Sequence, residues 1–302
     1  MSAPSTETDQ PSGLPAAFGA YLIWGFLPLY LLLVTSVPPF EFVGWRIIWT
    51  LPLCLLIVAV RRQFPALREA LSNRRTMMSL LASAILIAIN WFVYIWAIVQ
   101  NQVFAASLGY YLNPLVNVLL GTVFLGERLS KWQWMAVGVA GSAVALLAAG
   151  ALTTLWISLT LACSFGLYGV VRKQVPVGSV PGLTIESAIL LLPACGIVWW
   201  YAQSPAGPSF GTDLGLSAAI AFSGVVTAVP LLMFAIAAKR MDYSTLGFIQ
   251  YLAPTIVFIL GLTVFEQELN PVKLASFMLI WIAIAIFVGD LWSRTRRVSA
   301  PV

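Results

Sequence analysis

The sequence predicts an all-α integral membrane protein of ten transmembrane helices, arranged as two inverted five-helix repeats. Three observations carry this reading. Hydrophobic residues make up 60% of the 302 residues and charged residues only 9%, with a mean hydropathy of +0.93; a water-soluble domain carries about 25% charge. The apolar residues fall into ten stretches of roughly 20 residues, the length that crosses a bilayer. All but two of the 16 lysines and arginines lie at one set of stretch ends, the exceptions being Lys273 at the other set and Arg46 inside a stretch. Short loops rich in Lys and Arg stay cytoplasmic, so this sorting sets a topology.

Taken in order, residues 1–13 are polar, rich in Ser, Thr and Pro, and read as a disordered cytoplasmic tail. They lack the basic start of a signal peptide, so the first span is expected to stay uncleaved. The spans follow at 14–34, 40–60, 76–99, 103–125, 132–149, 152–171, 183–202, 214–238, 244–265 and 271–291. Loop 61–75 holds Arg61, Arg62, Arg68, Arg74 and Arg75, and loop 126–131 holds Arg128 and Lys131. Arg172 and Lys173 follow the sixth span, Lys239 and Arg240 the eighth, and Arg294, Arg296 and Arg297 lie in a cytoplasmic tail at 292–302. The opposite loops hold Glu41, Asp213, Glu266 and Glu268. Both termini are therefore expected in the cytoplasm, with the chain in a bacterial inner (plasma) membrane. The net charge of +5 fits anionic leaflet lipid and not nucleic acid. Cys54, Cys163 and Cys195 lie inside apolar stretches at no metal-ligand spacing and read as packing residues. No metal and no cofactor is expected.

The halves echo each other. Tyr111-Leu112-Asn113-Pro114 recurs 140 residues later as Tyr251-Leu252-Ala253-Pro254, and Gly121 recurs as Gly261. Pro52 has a near match in Pro193, and Trp24-Gly25 in Phe165-Gly166. Five spans per half is an odd number, so a first repeat over 14–149 and a second over 152–291 enter the membrane from opposite sides. That is an architecture of secondary transporters, with a substrate site near the midplane between the halves.

Several motifs then become specific: Asn90-Trp91 through Gly126-Glu127-Arg128, Ala20 to Gly25, Arg46-Ile47-Ile48-Trp49, Phe165 to Gly169 with Val171-Arg172-Lys173, Ile185-Glu186, and Ser244 to Phe248 with Gln250-Tyr251. This ordered string resembles the RarD family of the drug/metabolite transporter superfamily, the EamA-type exporters. The resemblance covers nearly the whole chain after residue 14. It implies ten helices around a central cavity and export of small metabolites or drugs. The chain departs from the family's pattern at Ala105-Ala106, where Glu-Ala is frequent, at Gln100-Asn101-Gln102, and at Glu266-Gln267 in place of a second Gly-Glu.

The candidate site residues are polar or aromatic groups inside the spans. Arg46 and Glu186 sit at corresponding depths of spans two and seven, and immersed charges face a cavity or a partner. Inverted symmetry puts Arg46 toward the outside and Glu186 toward the inside. Each is a candidate for coupling or gating, or for a local structural bond; a direct Arg46–Glu186 pair is not favoured. Pro114 and Pro254 are candidate helix breaks that free backbone carbonyls. Tyr110, Asn113 and Asn117 share one helix face, and Gln250 and Tyr251 form the equivalent set. Asn90, Trp91 and Tyr94 come from span three, Trp24 (with Tyr21) from span one and Tyr168 from span six. Together these are expected to line a substrate cavity, the alternative being helix clips and packing. Glu41 and Asp290 read as solvated span ends, and Trp132, Trp199, Trp200 and Trp292 as interface anchors. Gly138–Ser142 and Gly141–Ala145 give small-xxx-small spacing, assigned first to internal packing and second to a dimer face. The chain is expected to be a monomer or homodimer.

Three function classes follow. A secondary transporter, moving small metabolites such as amino acids or amphipathic drugs such as chloramphenicol by alternating access, accounts for the repeat and for the lack of a phosphate-binding Gly-rich Lys loop. A passive facilitator, channel or non-transporting scaffold is the alternative. An enzyme is not expected, because the chain has no histidine and no immersed pair of acids.

Overall fold

Apolar stretches of this length have one conformation in hydrocarbon that satisfies every backbone donor internally, the helix. The computed structural model describes residues 12–149, 152–205, 207–266 and 271–298, and the regular elements among them are helical. They are α1 (Leu14–Leu31), α2 (Pro39–Val60), α3 (Phe64–Ser72), α4 (Arg74–Val99), α5 (Val103–Phe124), α6 (Lys131–Ala148), α7 (Leu155–Gln174), α8 (Ser179–Ala202), α9 (Leu214–Arg240), α10 (Tyr243–Gln250), α11 (Leu252–Thr263) and α12 (Pro271–Val298). Short 3-10 turns extend α1 at Leu32–Val34 and precede α7 at Leu152–Thr154. Among the described residues, nine stretches are long and apolar enough to cross a bilayer, with α10 and α11 counted as one stretch. The helices outside that set are the short α3 and α6, whose first turn carries Lys131 and Gln133. The tail 1–11, the boundary at 150–151 and Glu268 lie outside the described residues.

The packing runs in matched sets. α2 packs on α8, α5 on α10 and α6 on α12. α4 packs on α7 as α1 packs on α9, and α5 on α7 as α1 on α11. α2 on α9 is matched by α4 on α8. Two glycines mark the matched crossings: a Cβ at Gly25 would press on Ile256, and one at Gly166 on Val116 and Leu120. The turns that end α5 and α11 also match, with Gly126 at φ +68° and Glu266 at φ +49°. In the first of these turns Glu127 N–H reaches back to the Gly121 carbonyl at 3.0 Å, a left-handed helix cap that glycine makes easy.

Several expectations are corrected. The basic loop 61–75 contains a short helix, α3, started by Pro65 and anchored through Ala70 against Leu80, Val175 and Ile185. The tail expected at 292–302 is helical as far as Val298, because α12 runs on past 291. Pro114 does not break its helix: α5 is continuous. The break lies in the second half, at Tyr251 between α10 and α11, three residues before Pro254. The small residues of α6 that meet α12 are Ala136, Ala140 and Ala143, all buried; Gly138 and Gly141 face open space, so their spacing does not serve internal packing. Cys54 is buried as expected, but Cys163 and Cys195 are exposed on the outer surface of the bundle.

α2 crosses α9 backbone against backbone, where a Cβ on Gly224 would overlap the Trp49 carbonyl oxygen. Gly224→Ala is expected to lower the thermal midpoint of the detergent-purified protein, by the equivalent of about 1–3 kcal/mol of overpacking. Gly138→Ala, at an open helical position, is expected to leave the midpoint unchanged or raise it slightly.

Candidate functional site

The interior holds two charged centres at opposite ends of the α2–α8 pair. The first is Arg46 on α2. Its Nε donates to Thr227 Oγ1 on α9 at 2.9 Å. The guanidinium stands 5.3 Å from the Trp91 ring and 5.8 Å from the Phe42 ring, within cation–π range. Tyr30, Tyr94 and Tyr110 lie within electrostatic reach of it. The rings of Tyr94 and Tyr110 meet edge to face at 5.7 Å, and Tyr110 remains 45% exposed although it faces this group. Thr50 Oγ1, one turn along, donates to the Arg46 carbonyl at 2.7 Å and keeps this part of α2 against the Gly224 crossing.

The second centre is Glu186 on α8, paired with Arg172 on α7 at 3.4 Å. Both side chains are essentially without solvent exposure, at 0% for Arg172 and 2% for Glu186. Ser83 Oγ on α4 donates to Glu186 Oε1 at 2.5 Å, and Tyr168 OH lies 3.5 Å from Oε2. Arg172 Nη2 donates to the Ser179 carbonyl at 3.0 Å. Between the two centres lies a narrow void of about 10 Å³, lined among others by Thr50, Trp91, Tyr168, Glu186 and Leu231. That is about the space one water needs.

Beyond Arg172 the helix ends are stapled. Lys173 Nζ donates to the carbonyls of Ala238 (2.9 Å) and Met241 (2.7 Å) at the end of α9. Lys239 Nζ returns the bond to Val175 (2.7 Å) and Val177 (2.6 Å) in the turn after α7. These carbonyls have no helical donor, and a lysine at a helix C-terminus also complements the dipole.

The predicted site residues are only partly brought together. Trp91, Tyr94 and Tyr110 gather around Arg46, and Tyr168 joins Glu186. Trp24 is half-buried among Tyr21, Phe165 and Phe234, with ring centroids 5.6–6.0 Å away. Asn90 is a helix clip, donating to the Leu161 carbonyl (2.9 Å) and Ser164 Oγ (3.1 Å) on α7. Asn117 Nδ2 donates to Gln250 Oε1 at 2.8 Å in the buried α5–α10 contact, beside Pro114 and Gly247. Asn113 is buried in the same helix, and its Oδ1 has no hydrogen-bond partner. Tyr251 is fully buried in the cluster between α6 and α12, its OH 3.5 Å from the Tyr111 carbonyl, and does not face Arg46. Glu41 is not a solvated span end: it is buried and accepts from Trp45 Nε1, Ser209 N and Ser209 Oγ. Asp290 accepts from Ser130 Oγ at 2.8 Å at the start of α6. Trp132, Trp199, Trp200 and Trp292 are exposed.

Sequence reasoning missed two residues. From sequence Arg172 reads as one of the loop cations. The available signal was Gly182, one turn before Glu186 on the same face: a missing Cβ beside an acid leaves a slot for a long cation, and Arg172 fills it. Glu127 was noted only as part of a motif. Its carboxylate accepts from Tyr243 N, Ser244 N and Ser244 Oγ and so caps α10 from the other half of the chain.

Comparison with known proteins supplies relatives for this arrangement. The model of the EamA-like transporter family matches residues 11–149. The chain is 39% identical to Protein RarD of Streptomyces exfoliatus, over 97% of this chain and 93% of that protein. It is 38% identical to an uncharacterized transporter of Pseudomonas aeruginosa, over 93% and 95%. A solved crystal structure 21% identical in sequence superposes with a TM-score of 0.71, covering 92% of this chain and 98% of the other, which shows the same fold.

The Glu186 centre makes a stability prediction. Glu186→Ala strands the Arg172 guanidinium in a dry interior and is expected to cost about 3–5 kcal/mol. The double variant Arg172→Met with Glu186→Leu is expected to recover most of that loss. Thermal unfolding of the detergent-purified proteins measures both.

Proposed function

The chain belongs to the RarD family within the EamA superfamily of membrane transporters, and from that premise we propose that it is a secondary transporter of small metabolites working by alternating access. The proposal sets residues 14–149 and 152–291 as two inverted five-helix repeats, α6 being the fifth span of the first, with both termini in the cytoplasm of the inner membrane. The matched packing, the paired glycine crossings and the equivalent turns at 126 and 266 support that reading. The family and the names of the relatives indicate a transporter and not an enzyme.

One observation carries the mechanism: the two ends differ in access. At the Arg46 end Arg46 itself is only part-buried, while at the Glu186 end Arg172, Glu186 and Tyr168 are sealed. With the basic ends of α7 and α9 cytoplasmic, this is an outward-facing state. In this state the cargo path opens to the outside beside Arg46, Trp91, Tyr94 and Tyr110, where exported cargo leaves. The pinched void between the centres widens as the Arg172–Glu186 contact and the Lys173 and Lys239 staples release. Inward opening exposes Glu186, the carboxylate positioned to exchange a proton, and the outer end closes over Arg46 by the mirrored motion. Amino acids and amphipathic drugs such as chloramphenicol are the cargo classes to screen.

Two measurements test this. In a background without native cysteines, Tyr110→Cys is expected to react with a membrane-impermeant maleimide added outside intact cells, while Ser187→Cys is not; equal labelling of both refutes the outward-facing assignment. In proteoliposomes, a proton gradient is expected to drive accumulation of a labelled cargo. Glu186→Gln is expected to abolish accumulation while leaving exchange at equal concentrations. Equilibration that ignores the gradient assigns the protein as a facilitator instead.

A further inference from the structure

The two charged centres are built on mirrored contacts but are neutralised differently. Arg46 on α2 is bonded by Thr227 of α9 as Glu186 on α8 is bonded by Ser83 of α4, which are equivalent pairs of helices. Glu186 has a counter-ion one helix away, Arg172 of α7. The offset of 141 that relates Gly25 to Gly166 carries Arg172 onto Leu31 of α1, which is apolar. Arg46 therefore has no mirrored counter-charge. Its neighbour in sequence, Glu41, is spent on Trp45 and Ser209, and Asp213 caps α9 through Leu216 N at 2.7 Å. No acidic side chain among the described residues pairs with Arg46.

An unpaired guanidinium within a span is costly unless water or an anion reaches it. The Arg46 terminal nitrogens are not among the polar atoms sealed without partners, whereas Arg172 Nε and Nη1 are. With Nε held by Thr227, the free edge is the Nη1–Nη2 edge. A planar fork with two parallel donors matches a carboxylate in bidentate geometry, which a lysine does not. Trp91, Tyr94 and Tyr110 stand around the guanidinium, Trp91 with its ring under it, and offer rings suited to a flat apolar body.

We infer that this site takes an organic carboxylate with an aromatic or flat apolar body, its carboxylate on Arg46 and its body against Trp91, Tyr94 and Tyr110. That this ligand is the cargo rests on the transporter reading; that it binds here does not.

The test uses the full chain in lipid nanodiscs with two probes of one shape, 3-phenylpropanoate and its neutral amide, followed by calorimetry. The wild-type protein is expected to bind the acid saturably and the amide about tenfold or more weakly, as a lost charged hydrogen bond implies. Arg46→Gln is expected to bring the acid down to the amide's level, and Arg46→Lys to retain part of the preference. Equal binding of acid and amide by the wild type, no saturable acid binding in the millimolar range, or unchanged acid binding in Arg46→Gln each overturns the inference. The wild-type comparison needs no variant to fold. Arg46-dependent acid binding without uptake of any cargo overturns the transporter reading alone, and gradient-driven uptake by a protein that binds acid and amide equally overturns this inference alone.

Discussion

Inside a bilayer no water waits to satisfy a polar group, so each buried charge and each carbonyl past a helix end needs a protein partner. The turn between α7 and α8 shows how far that requirement shapes this molecule. The carbonyls of Val175 and Val177 lie beyond the end of α7 and Lys239 takes them, while Arg172 bonds the Ser179 carbonyl at the start of α8. Lys173 does the same for the end of α9. These bonds draw the ends of α7, α8 and α9 together and set the position of Arg172. That position in turn neutralises Glu186, orders Ser83 and Tyr168 around it, and seals that end of the interior.

On the proposed reading of two inverted repeats, the two halves share a scaffold and differ in chemistry. Glycines at 25 and 166 allow the same close approach, and Gly126 and Glu266 turn the chain the same way. On that common frame one half carries an acid with its counter-ion and the other a cation among aromatic rings. The sealed centre and the accessible centre thus come from side-chain identity at equivalent places, with no change of fold.

The spans were legible because hydropathy and the period of a bilayer crossing are local properties of the chain. α3 was not, since its charged residues read as loop while a modest apolar contact through Ala70 is enough to dock it. Pro114 and Pro254 occupy the same motif, yet only the second half is interrupted, and at Tyr251; whether a proline breaks a helix depends on which neighbours pack around it and donate to the carbonyl it frees one turn earlier, which no motif states. Arg46 and Glu186 stood out as immersed charges, and their aromatic neighbours Trp91, Tyr94, Tyr110 and Tyr168 were recognised with them. Asn90, Asn117, Gln250 and Tyr251 went the other way: an amide or phenol on a helix face looks the same in sequence whether it meets a cavity or another helix. Arg172 was hidden because a cation at a cytoplasmic span end is the commonest thing a membrane protein has there.

The Glu127 carboxylate, fixed by the left-handed turn at Gly126, holds the first residues of α10 with three hydrogen bonds, and Gly247 seats the same helix against Pro114 and Asn117. By attachment, then, α10 is a limb of the amino-terminal half, although the chain assigns it to the other. The discontinuity at Tyr251 is where the backbone passes from borrowed to native ground, which makes it a joint and leaves the α10–α11 stretch shared between two owners.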